Sequence, residues 1–130
     1  MSKPKLSYKN LNDAVLEAFP FLKDEACRDV YGYAEGRLGP YVLFGDIFNR
    51  YVREYNDLSP SEKEEISAFL ECMAESGDPN VEDLLRIEVL PVFLENQAIL
   101  DAYWPCFGPG IRQLLTTINL HVRTKMKLPD

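Results

Sequence analysis

Apolar residues recur along most of this chain at the three- and four-residue spacing of a helix, and no stretch shows the period-two alternation of a strand. Leu11, Val15, Ala18 and Leu22 mark a first stripe, with Asn10 or Asn12 placed to cap it. Pro20 either breaks this stripe or opens a second helix, whose face is Leu22, Ala26, Val30 and Tyr33 and whose end falls near Gly36. After the turn Gly36-Arg37-Leu38-Gly39-Pro40 comes a wide stripe: Leu43, Phe44, Ile47, Phe48, Tyr51, Val52 and Tyr55.

Ser59-Pro60-Ser61-Glu62 is a helix start. Ser59 can cap, proline suits the first helical position, and Glu62 completes a capping box. This helix buries Ile66, Phe69, Leu70 and Met73, turns Glu64, Glu71 and Glu75 to water, and stops at Gly77. Asp78-Pro79 repeats the start signal. The helix it opens is apolar nearly all round from Val81 to Leu94, which predicts the central element, kinked or ended by Pro91. A short helical stretch from Asn96 to Tyr103, an aromatic loop from Trp104 to Gly110, and a last helix on Ile111, Leu114, Leu115, Ile118 and Val122 complete the chain. The expected fold is all-α: one domain of about seven helices, with residues 1–9 and 124–130 as flexible basic ends.

The stretch from Ser59 to Leu94 resembles one unit of a HEAT-type helical repeat, on Asp78, Pro79, Val81, Leu84 and Leu85. No second copy lies close enough in sequence to make an array.

A chain of 130 residues that is 46% hydrophobic has enough apolar surface for one core. Its charge divides unevenly. Residues 1–9 carry +3, residues 10–101 carry 20 acids against 7 bases, and residues 102–130 carry +3, for a net −7. An acidic body repels nucleic acid and attracts basic partners. No apolar run is long enough for a membrane helix and no signal peptide is visible, so a cytoplasmic protein is expected.

Three cysteines far apart, Cys27, Cys72 and Cys106, make neither a disulfide framework nor a zinc site and read as reduced, buried thiols. The only histidine, His121, has no nucleophile motif beside it and reads as a surface or helix-end residue. Glycines 36, 39 and 45 form no phosphate loop. Adjacent acids such as Glu64-Glu65 diverge by about 100° on a helix and do not share a metal or a proton. No catalytic residue, metal or cofactor is called for.

Binding chemistry fits better. Tyrosine and tryptophan beside acids are what protein-binding surfaces use. The expected contact residues are Tyr33, Glu35, Tyr41, Asp46, Glu88, Asp101, Tyr103 and Trp104. Glu88 falls on an apolar face and needs a partner, for which Arg50, Arg53 and Arg112 are the candidates.

Phe19-Pro20-Phe21-Leu22, Gly39-Pro40-Tyr41-Val42-Leu43-Phe44-Gly45-Asp46 and Asp78-Pro79-x-Val81 together resemble small helical bacterial proteins similar to immunity proteins of contact-dependent growth inhibition and related polymorphic toxin systems. The resemblance runs from residue 19 to about 118. It implies an inhibitor that binds one toxin domain, often a nuclease, and covers its active site as a monomer or weak dimer. The other reading is a HEAT-like helical adaptor for a different cytoplasmic protein. An enzyme using paired carboxylates is the third, motivated only by acid density.

Overall fold

A computed structural model describes residues 6–23, 39–54 and 59–129. Among them the chain is all-helical, with six helical segments and no strand. The expected helix from Leu22 to Gly36 lies almost wholly outside the described residues, as do Cys27, Tyr31, Tyr33, Glu35 and Tyr55.

Helix α1 is Leu11–Ala18. Proline at position 20 has no N–H to continue it, and the chain tightens into a 3-10 turn at Pro20–Leu22. Leu11, Val15 and Leu16 carry the buried face, and Ala18 is exposed. Asn10 precedes the helix but its side chain turns back to accept from the Ser7 N–H at 2.9 Å.

Helix α2 covers 40–54. Gly39 is extended and Pro40 takes the first helical position. The run is α-helical at Pro40–Val42, π-helical at Leu43–Phe48 and α-helical again at Asn49–Glu54. The Asn49 N–H reaches back five residues to the Phe44 carbonyl. That wider turn allows three consecutive residues, Ile47, Phe48 and Asn49, to be buried together.

Helix α3, Pro60–Ala74, begins on the capping box. The Glu62 N–H donates to Ser59 Oγ at 3.2 Å, and the Ser59 N–H donates to Glu62 Oε1. Gly77, at φ 72°, supplies the left-handed residue that turns the chain after it. Helix α4 covers 79–94. Asp78 caps it, accepting from the Asn80 N–H at 2.9 Å. It is α-helical at Pro79–Leu84, π-helical at Leu85–Val89 and 3-10 at Leu90–Leu94. Pro91 accounts for the change. It cannot donate to the Ile87 carbonyl and its ring crowds that carbonyl, so the turn widens before it and tightens after it. Helix α4 is the central element, as its apolar composition predicts. Val81, Leu84, Leu85, Val89, Leu90 and Phe93 are all fully buried, and it packs against α2, α3 and the two helices that follow it.

Helix α5 covers 97–106, α-helical at Gln97–Tyr103 and 3-10 at Trp104–Cys106. Residues 104–106, expected in a loop, therefore extend this helix. Helix α6 is Pro109–His121, and His121 is the exposed end residue expected of it.

The described parts of both ends pack on the body of the protein. Leu6 and Tyr8 pack on the core, and the Tyr8 N–H donates to Asp78 Oδ2 at 2.8 Å. Past α6 the chain bends at residues 122–124 and runs on without regular secondary structure, and Met126 and Leu128 also pack on the core. The segment is docked, where a frayed tail was expected.

Candidate functional site

The candidate contact residues do not converge on one surface. Tyr33 and Glu35 lie outside the described residues. Asp46 and Glu88 lie beside Gly45, where the two π-helical segments meet, and Tyr41 lies at the start of α2. Asp101 lies beside the tail. Tyr103 and Trp104 are interior.

The face begins at Gly45. Glu88 Oε1 sits 2.5 Å from where a Cβ on Gly45 would stand, so glycine is what admits this carboxylate against α2. One turn on, Asn49 Nδ2 donates to the Glu88 carbonyl at 2.8 Å. That carbonyl belongs to the π-helical stretch just before Pro91. Asn49 is 2% exposed, and its Oδ1 has no hydrogen-bond partner. Glu88 is thus half-buried at a helix–helix contact, the partly exposed edge that was one expectation for it.

Outside this contact is a shallow, solvent-open depression lined by Gly45, Asp46, Arg50, Arg53 and Glu54. Arg53 forms a bidentate pair with Glu95, both bonds at 2.9 Å. Its guanidinium is held above the usual arginine value, first by that hydrogen bond and further by the Glu95 and Glu88 charges, against some loss of solvation. Of the three candidate partners for Glu88, Arg53 feels its charge. Asp46 and Glu54 are exposed. Tyr41 and Val42 are exposed at the start of the same helix, and Ile87, 63% exposed, precedes Glu88 on α4.

Tyr103 and Trp104 were expected to be surface anchors, and the structure corrects this. Tyr103 is 3% exposed and Trp104 7%. Tyr103 lies edge-on to Phe93 at 5.1 Å and stacks with Phe107 at 6.1 Å. Burial, above all, raises the Tyr103 hydroxyl far above the usual phenol range, so it stays protonated. The Arg112 guanidinium lies 5.3 Å from the Trp104 ring centre and donates to the Trp104 carbonyl at 3.0 Å, which takes Arg112 away from Glu88. Tyr103 ends the α-helical part of α5 and Trp104 opens its 3-10 turn, and the inward facing of both is a matter of helix rotation that residue type does not reveal.

Two other expectations change. Cys72 is exposed and Cys106 half-buried. Glu71 does not face water. Its Oε1 accepts from the Ile111 N–H at 3.0 Å, at the start of α6.

Among the described residues no group of three or more His, Cys, Asp or Glu is arranged to hold a metal, and no helix is long and apolar enough to cross a membrane. Compared with family models, with curated proteins and with solved structures, the chain matches none.

Proposed function

We propose that this chain is a protein-binding inhibitor of the immunity type, neutralising a cognate toxin domain of basic surface by covering it with the α2–α4 face. The observation that supports the reading most directly is the composition of that face. The acids Asp46, Glu54, Glu88 and Glu95 outnumber Arg50 and Arg53 there, and the exposed apolar side chains of Tyr41, Val42 and Ile87 lie on the same two neighbouring helices. Acids give long-range attraction to a basic surface, and apolar side chains give short-range hold. Two helices locked by Asn49 and Glu88 would present them with little to reorder on binding. A nuclease is the kind of toxin that fits, since its substrate cleft is basic. The inhibitor would act in the cytoplasm, as a monomer or weak dimer, without catalysis or cofactor.

The test is co-expression with the product of the neighbouring reading frame. Protection of the cells and co-purification of the pair are expected. Neither protection nor a complex would remove the immunity reading.

A HEAT-like adaptor is the second reading, supported by the packing of α3 against α4 across the Ser76-Gly77-Asp78 turn. Recovery of a housekeeping protein instead of a toxin from the native cell would favour it.

A further inference from the structure

The segment after α6 is held by strand-like hydrogen bonding at Met126 and Lys127. Asn119, 7% exposed, uses both ends of its amide on one residue: Nδ2 donates to the Met126 carbonyl and Oδ1 accepts from the Met126 N–H, each at 2.9 Å. Gln97 does the same to the next residue. Its Nε2 donates to the Lys127 carbonyl at 2.7 Å and its Oε1 accepts from the Lys127 N–H at 3.0 Å. In an extended chain, the N–H and C=O of one residue point to one side and those of the next residue to the other. The two amides therefore take the places of two flanking strands, with the tail running between the start of α5 and the last turn of α6.

The second Gln97 Nε2 hydrogen goes to Asp101 Oδ1 at 2.8 Å. Asp101 accepts only, so it holds the glutamine amide with its nitrogen toward the Lys127 carbonyl. Met126 and Leu128 pack inward while Lys125 and Lys127 face solvent.

We infer that the cleft between α5 and α6 is a binding site for an extended peptide with apolar residues two positions apart and a basic residue between them, occupied here by the chain's own Met126-Lys127-Leu128. Four of the hydrogen bonds that hold the tail read main-chain atoms alone. Nothing in them distinguishes this tail from another chain of the same pattern. Selection falls to the two inward apolar positions and to the charge of the residue between them, near Asp101 and an acidic body. Each such hydrogen bond adds only about 1 kcal/mol net, so the tail is an exchangeable occupant and not part of the core.

The experiment uses the full chain. The Met126 and Lys127 amides in the unmodified protein should exchange with deuterium about tenfold more slowly than in the Gln97→Ala/Asn119→Ala variant. Equal exchange would overturn the inference. In parallel, Met126→Asp/Leu128→Asp dislodges the tail and leaves both amides in place. A fluorescently labelled peptide of residues 122–129 should bind this variant, and binding should weaken about tenfold when Gln97→Ala and Asn119→Ala are added. It should also weaken when the peptide's Met and Leu are made adjacent. A folded, dislodged chain that ignores the peptide, or binds both peptides alike, would show that the cleft is no peptide site. Should the dislodged variant not fold, equal exchange in the first comparison still overturns the inference.

Discussion

Glu71 and the glycines facing it show how one side chain closes a helix end in another part of the fold. Gly108 stands at the N-cap of α6 and has no side chain to offer, so the open N–H of Ile111 takes its acceptor from α3. Built Cβ atoms on Gly108 and Gly110 would lie 2.6 and 2.9 Å from the Glu71 carboxylate oxygens. Glu71→Ala should therefore cost about 1 kcal/mol, as loss of an ordinary cap does. Gly108→Ala should cost about as much by pushing the carboxylate aside, and the double variant should cost less than the sum, since both remove one contact. Chemical denaturation of the three variants checks this, and full additivity would refute it. Asp78 gives a pH-dependent case. Hydrogen bonds from the Tyr8 and then the Asn80 backbone hold its carboxyl below the usual 3.8. A depressed acid contributes stability that is complete above its unfolded value and lost as pH falls through the folded one. The melting temperature of Asp78→Ala should thus lie below that of the parent at about pH 6, with the gap closing as pH falls below the usual carboxylate range. A gap that holds constant would place the effect elsewhere. The Ser59–Glu62 box is readable from sequence because its partners are three residues apart. The Glu71 cap is not, because its partner lies 40 residues on and helical periodicity assigned that position to solvent.

At the scale of elements, the starts and stops followed from local chemistry. Pro20, Pro40, Ser59-Pro60, Gly77 and Asp78-Pro79 all sit at boundaries they announce, since each acts on its own backbone or its nearest turn. The burial of α4 was also legible, because its apolar residues leave no polar face wide enough to expose. What sequence could not convey was the pair of π-helical segments, which depends on two helices meeting. Pro91 marks one of them. The other becomes apparent only when Asn49 is found donating to the Glu88 carbonyl. Asn49→Ala should cost about 1–3 kcal/mol, because it leaves that buried carbonyl without its donor. Asn49→Asp should be no better, since a carboxylate in that place has no hydrogen to give and would be buried. Equilibrium unfolding in urea measures both. If either variant matched the parent, the asparagine would not be the link between α2 and α4.

Across the whole molecule, charge and packing tell different stories about the same residues. Sequence placed Asp46, Asp101, Tyr103 and Trp104 together as contacts because acids beside aromatics suit an interface. Folding separates them: Trp104 holds Arg112 over its ring, Tyr103 joins the Phe93–Phe107 cluster, Asp101 orients Gln97, and Asp46 alone of the four faces the α2–α4 depression. Charge reversal therefore separates what composition could not. If the acidic α2–α4 face steers a basic partner, Asp46→Lys should lower the association rate about three- to tenfold at low salt, with dissociation nearly unchanged. Asp101→Lys, on the tail side, should leave that rate within about twofold while loosening the Lys127 amide. Raising salt to physiological strength brings screening to a Debye length of about 8 Å, and should shrink the Asp46→Lys effect by slowing the parent more than the variant. Stopped-flow mixing with the cognate toxin domain at two salt concentrations reads all of this at once. Equal slowing by both reversals would mean that net charge alone draws the partner in, and a larger effect at Asp101 would move the docking face to the cleft beside the tail.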